Sequence, residues 1–184
     1  MEGRVILAPN YPEINEALIF LAGPIKGATL WHNKAIKIIQ DADPEMHVAS
    51  PSLLVDPIYK KQNPVGFKHS SNQEEWEQVD WETYHLDLAA KTGAILFWFD
   101  KEEKHYCERG FAQTSRFEFG EWKERHLRDG ARLALGIYWG NENERGFPGK
   151  YYLKYRLSQD CPNMKVNLTL EDTCKQAVEL AIGV

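Results

Sequence analysis

The 184-residue chain has few cysteines, and none of them stand at a useful spacing. Cys107, Cys161 and Cys174 are odd in number and make no CxxC pair. They therefore encode neither a zinc ribbon nor a disulfide framework, and free thiols in a reducing cytoplasm are expected. The six histidines form no HExxH or HxH pair, which leaves a metal site without support, and no cofactor is implied. A GxSxG segment is also missing, so the sequence cue for a Ser-His-Asp triad is absent. No apolar run approaches the roughly 20 residues that span a bilayer. The N-terminus carries Glu2 and Arg4, and its apolar run is broken by Pro9, Asn10 and Pro12, unlike a signal peptide. Basic charge is scarce as well. The formal net charge is −5 and Lys and Arg are scattered, which argues against a nucleic-acid polymer held through its phosphates. A soluble, cytoplasmic protein without a membrane partner is expected.

What is present is ordinary for a globular domain, with 43% hydrophobic and 27% charged residues in a length that suits one core. Residues 17–22 (ALIFLA) read as a buried strand stopped by Gly23-Pro24, and residues 29–43 follow with helical spacing of Trp31, Ala35, Ile36, Ile38 and Ile39. A short strand at 47–50 ends at Pro51, and a polar loop runs from there to about residue 74, with Pro57, Pro64 and Gly66. The pattern then predicts a helix over 75–91, a strand over 94–99, a loop over 101–113 and a helix over 114–127 closed by Asp129-Gly130. Residues 131–138 (ARLALGIY) read as a further strand, 151–157 are ambiguous, 166–170 suggest an edge strand and 171–181 a final helix. Strands alternating with helices predict a single-domain α/β sandwich with a mostly parallel central sheet of about five strands and helices on both faces. Residues 4–9 (RVILAP) are also strand-like, but the pattern does not order them in the sheet.

In open α/β sheets ligands settle outside the carboxyl ends of the strands, so the loops and helices after the apolar runs hold the candidate chemistry. Acids are the prominent candidates. Asp80, Tyr84 and Asp87 share one helical face at i, i+4, i+7 spacing. A solvated stripe is the commoner meaning of such a pattern, although Asp87 stands near the helix C-terminus, where a negative charge opposes the dipole. In the segment TSRFEFGEW (114–122), Glu118 is flanked by Phe117 and Phe119 and followed by Gly120. A helical glycine costs about 1 kcal/mol relative to alanine. A close approach of ligand or backbone accounts for that cost, and tight helix packing accounts for it equally. Glu121 reads as a surface residue.

Weaker signals surround these acids. Thr114 and Ser115 suit helix N-caps, and the amides behind them could hold an anion such as phosphate, with capping the plainer reading. Gly23-Pro24-Ile25-Lys26-Gly27 is neither GxGxxG nor a Walker loop but suits a tight pocket wall. Ser52, Asp56 and Tyr59 are the contact candidates of the long polar loop, which suits a functional lid or a flexible segment, and a solvated loop is the plainer reading of each. The six tryptophans read as core or interface residues, with one or two near strand ends able to stack on a base.

Taken together, FLAGPI at 20–25, Trp81-x-x-Tyr84-x-x-Asp87-Leu88, ILFWFD at 95–100 and TSRFEFGEW at 114–122 resemble the nucleoside 2-deoxyribosyltransferase family, in its deoxyribosyltransferase-like branch. The resemblance covers roughly residues 17–140 and rests on the order and spacing of loose motifs. It implies a Rossmann-like or flavodoxin-like fold. It further implies Glu118 as the nucleophile, in a hydrophobic-Glu-hydrophobic-Gly motif with Phe119 and Gly120, and Asp87 as the acid that orients Glu118 or the sugar hydroxyls. Asp100 would assist the base, and Gly23, Pro24 and Ile25 would line the sugar pocket beside Phe20, which stands where several members carry tyrosine. Ser115 and Gly120 complete the expected binding set. A C-terminal tail of the kind that completes a neighbour's site in typical transferases is not found.

The chemistry implied is cleavage of an N-glycosidic bond through an oxocarbenium-like transition state, with a carboxylate attacking one sugar face and a second acid aiding the departing base. Transfer of the 2-deoxyribosyl group to another nucleobase is the leading expectation, and hydrolysis follows if water is the acceptor. A non-catalytic nucleotide-binding or sensing module is the reading from a second class. A third is an α/β domain whose Trp-rich surface serves oligomer contacts. The expected partners are a nucleoside or nucleotide, a free nucleobase and further copies of the chain in a homo-oligomer.

Overall fold

The computed structural model describes residues 2–63, 65–66 and 71–183, the side chains of 71 and 72 excepted, so Pro64 of the expected loop lies outside the described residues. Six strands form one sheet: β1 (Val5–Leu7), β2 (Leu18–Ala22), β3 (His47–Ser50), β4 (Ala94–Phe99), β5 (Leu133–Ile137) and β6 (Val166–Asn167). Every pairing is parallel and the order is β1-β3-β2-β4-β5-β6. Without β1 this is the flavodoxin-like order 2-1-3-4-5, and β1 adds an edge beside β3. The strand-like run at 4–9 thus takes its place as β1 and brings the sheet of about five strands to six. Its edge is covered from the side, because Gln62 Oε1 accepts from the Val5 amide at 3.2 Å and Asn63 Oδ1 from that of Leu7 at 2.8 Å.

Parallel strands buried on both faces need apolar side chains at successive positions. LIFLA, AILFWF and LALGI supply them, and all three strands are buried along their whole length. In β4, Ile95, Phe97 and Phe99 point into one core layer and Ala94, Leu96 and Trp98 into the other, as the two-residue period dictates. The second layer is closed by α1 (Trp31–Ala42) and α6 (Leu170–Ile182), and the first by α3 (Ser71–Thr92), α4 (Gln113–Asp129) and α5 (Lys150–Asp160). The ambiguous stretch at 151–157 is therefore helix.

Two local expectations are corrected. The polar loop after Pro51 is shorter than expected, because α2 (Pro57–Lys61) interrupts it and α3 begins at Ser71. Asp56 N-caps α2 by accepting from the Ile58 amide at 3.0 Å. Neither Thr114 nor Ser115 is an N-cap. That position falls on Ala112 in the left-handed region at φ 55°, with no side-chain cap, and both hydroxyl residues lie inside the first turn. The other end of α4 closes as expected on Gly130 at φ 75°, whose amide donates to the His126 carbonyl at 3.1 Å. No helix among the described residues is long and apolar enough to cross a membrane.

Candidate functional site

Strand order reverses between β2 and β4, and the crevice outside the carboxyl ends of the strands there is where ligands settle in open α/β sheets. A pocket of about 500 Å³ occupies it, within the size range of small-molecule sites. The wall after β2 is Gly23-Pro24-Ile25, joined by Phe20 from the strand. Gly23 has φ 154°, and a Cβ there would collide with the Trp98 carbonyl oxygen and stand 2.9 Å from Trp31 Cζ2. Trp31 Nε1 donates to the Pro24 carbonyl at 2.9 Å, which pins the turn. A glycine is needed because β4 and α1 press this loop from behind.

The opposite wall is α4. Phe119 stands edge-on to Phe97 and Phe99 at centroid distances of 5.2 and 5.5 Å, and Trp122 is buried beneath the same helix. With 3.6 residues per turn, that anchoring turns Ser115 and Glu118 into the crevice, and both line the pocket. Phe117 points outward and is 78% exposed, so only one of the two phenylalanines flanking Glu118 belongs to the core.

Glu118 has no cation and no hydrogen-bond donor among the described residues. Withdrawal from water, then the negative charges of Glu82 and Glu121, push its carboxyl up to about 7. Glu82 is the residue the sequence reading missed. It faces the same pocket from α3, and burial raises its pKa against the opposing effect of a hydrogen bond from Gln78. Gln78 Nε2 donates to Glu82 Oε1 at 2.7 Å and to the Pro51 carbonyl at 3.2 Å, tying the carboxylate to the end of β3. A signal for Glu82 was available, since it continues the buried stripe of Leu86 and Ala89 toward the helix N-terminus at i−4 spacing. An acid interrupting an apolar stripe is more telling than an acid on a polar one.

The other sequence candidates lie elsewhere. Asp87 is outside the pocket lining: it accepts from Arg125 Nη1 at 2.7 Å, and the same guanidinium donates to Glu121 at 2.7 Å. The Asp80-Tyr84-Asp87 stripe follows the outer side of α3, where Tyr84 is 48% exposed. Asp100 is buried, but its carboxylate is taken up by Thr29 Oγ1, by the Thr29 amide at 3.2 Å and by the Lys101 amide at 2.9 Å. It lines a separate groove with Trp31, Trp98 and Tyr138. Gly120 opens into another groove, between α4 and α5, and nothing lies within 4 Å of a Cβ placed on it. Neither tight packing nor the pocket accounts for that glycine. Ser52, Asp56 and Tyr59 are also absent from the pocket lining, although Pro51 is there. Trp76 is 71% exposed, whereas Trp31, Trp81, Trp98 and Trp122 are core residues.

Together, fold and crevice define an α/β protein of flavodoxin-like strand order with two desolvated carboxylates at its switch point. No protein-family model matches the chain, and no match is found among curated proteins. Among the described residues no group of three His, Cys, Asp or Glu side chains is placed to hold a metal ion.

Proposed function

We propose that the pocket cleaves the N-glycosidic bond of a nucleoside or nucleotide and passes the 2-deoxyribosyl group to a second nucleobase, or to water when no base is present. The observation that carries this reading is the pairing of Glu118 and Glu82 across one concave site, each with a raised pKa and neither with a cation. Two like-charged carboxyls withdrawn from water do not both ionise readily, which favours a singly protonated pair. That state suits the reaction. The ionised member attacks the electron-poor anomeric carbon and the protonated member donates to the departing base. Glu118 takes the attacking role, in keeping with the resemblance of its motif, when the pair's proton rests on Glu82, and Glu82 takes the role of aiding the departing base that the resemblance gave to Asp100. The carboxylate–sugar ester is then opened by the acceptor, with Glu82 now accepting the acceptor's proton. Phe20, Gly23, Pro24 and Ile25 supply the wall against which a sugar ring and base would rest.

The test is product analysis. Incubated with deoxyinosine and free adenine, the protein is expected to yield deoxyadenosine and hypoxanthine; without adenine, slow release of hypoxanthine alone is expected. Absence of free base in both incubations, repeated with the other common deoxynucleosides and their 5′-monophosphates, would sink the reading.

A further inference from the structure

Glu82 can act as an acid only while one of its oxygens is kept for the proton, and the side chain one turn before it on α3 governs which one. Gln78 and Glu82 stand at i, i+4 spacing, and both line the pocket. Gln78 Nε2 donates to Glu82 Oε1 at 2.7 Å and to the Pro51 carbonyl at 3.2 Å. A carbonyl oxygen only accepts, so the Pro51 contact fixes which end of the Gln78 amide is the nitrogen. Glu82 Oε1 therefore always meets a donor. An oxygen that accepts from an amide is the carbonyl oxygen of a protonated carboxyl, which leaves Oε2 to hold the proton. The anchor itself is firm, because Pro51 directly follows β3, a strand buried along its length and paired with β1 on one side and β2 on the other. Gln78 is the only hydrogen-bond partner of the Glu82 carboxyl among the described residues. The other charged groups of the lining are Glu74 and Glu75 on α3, Glu118 on α4, Arg109 on the loop before α4 and Lys26 after β2, with Lys26 held by Glu108 at 3.5 Å.

We propose that Gln78 is the positioning residue of the acid: it anchors Glu82 to the end of β3, reserves Oε2 for the proton, and steadies the carboxylate left behind when that proton passes to the departing base. This role rests on the reading of the pocket as a site of N-glycosidic cleavage. As the bond from the anomeric carbon to the base nitrogen breaks, its electron pair goes to the base. The base takes the proton from Glu82 Oε2, and a Glu118 oxygen bonds to the anomeric carbon. Negative charge thus grows on Glu82 during the step. A hydrogen bond to a carboxylate is stronger than one to a neutral carboxylic acid, so the Gln78 bond tightens as the proton leaves. An interaction that strengthens on the way to the transition state raises kcat and leaves KM little changed. The same bond opposes the lift that burial gives the Glu82 pKa, which keeps the acid ready to give up its proton. When the acceptor opens the ester, its proton passes to Glu82 and the pair is restored.

Gln78→Met removes the donor at nearly constant length, and Gln78→Ala removes the whole side chain, with circular dichroism reporting the fold of each. Steady-state kinetics compares two substrates: a deoxynucleoside that the wild type turns over, and a 2-deoxyribosyl nitrophenyl glycoside, whose phenolate leaves without a proton. On the nucleoside both substitutions should lower kcat about tenfold or more and leave KM within about threefold. On the aryl glycoside kcat should stay within about threefold, a split that a merely structural defect would not produce. Carbon-13 NMR titration of the glutamate carboxyls, with Glu82 assigned by its absence from Glu82→Gln, should place the Glu82 midpoint higher in Gln78→Met by about 0.5 pH unit or more. Equal losses on both substrates, a nucleoside kcat at the wild-type level or an unmoved Glu82 midpoint would overturn the role. Failure of the parent reading looks different. If the wild type releases no base from any nucleoside while the Glu82 midpoint moves as expected in Gln78→Met, the cleavage reading falls and the hold of Gln78 on Glu82 stands.

Discussion

Two of the acids on each of helices α3 and α4 look alike in the sequence, and their surroundings separate these four into two pairs. Glu82 and Glu118 meet across the crevice without a cation, and burial lifts both pKa values. Asp87 and Glu121, five residues and three residues further along the same helices, share the Arg125 guanidinium at the surface. The first pair is costly to keep ionised, so protonation and charge within it respond to whatever enters the pocket. The second pair is bridged between two helices by one cation, which offsets one of its two charges. The lesson is that a carboxylate's chemistry is set by solvent access and partners more than by the motif around it.

The strongest way to break this comparison is Glu118→Gln, which keeps the shape and removes the carboxylate proposed to attack. Base release in a product assay is expected to fall about 10³-fold or more. The same variant reports on stability. Because folding raises the Glu118 pKa from its ordinary 4.5 to about 7, the folded state holds the proton more tightly than the unfolded chain. That contribution is fully present below pH 4.5 and is lost as pH rises to about 7. At pH 8 Glu118→Gln should therefore be more stable than wild type in urea unfolding, by on the order of 2 kcal/mol. A glutamine no more stable at pH 8 than at pH 4, relative to wild type, would show that Glu118 is not desolvated.

A smaller effect is expected from Glu82→Gln, about 10²-fold in kcat through loss of the proposed acid. Its charge is also one of the causes raising Glu118. Removing it should move the limb of the pH–rate profile set by Glu118 to lower pH, a shift that a purely structural defect would not produce. Smallest of all is Asp87→Asn. Turnover should stay within about threefold, and stability should fall by about 0.2–1 kcal/mol, the usual range for an exposed ion pair. A loss of 10² in turnover for Asp87→Asn, with Glu82→Gln near wild type, would invert the comparison and restore the role that the resemblance assigned to Asp87.

The stretches read most securely from sequence are those whose structure is decided locally or by burial on both sides. AILFWF could only be a core strand of a sheet covered by helices, and strand β4 runs over just those residues. The Gly-Pro stop after β2, the glycine that closes α4 and the acid of TSRFEFGEW were legible for the same reason: backbone freedom, periodicity and an acid between apolar neighbours are written in adjacent letters. Tertiary structure alone decided which acids face each other, because Glu82 and Glu118 are 36 positions apart and acquire their character only when α3 and α4 close over the crevice. It likewise tied Asp100 to Thr29, gave Asp87 to Arg125, left Gly120 facing an open groove and set the helix cap on Ala112 instead of a hydroxyl residue. Helix and strand follow from short-range pattern, whereas desolvation and pairing are properties of the space between elements, which no single segment encodes.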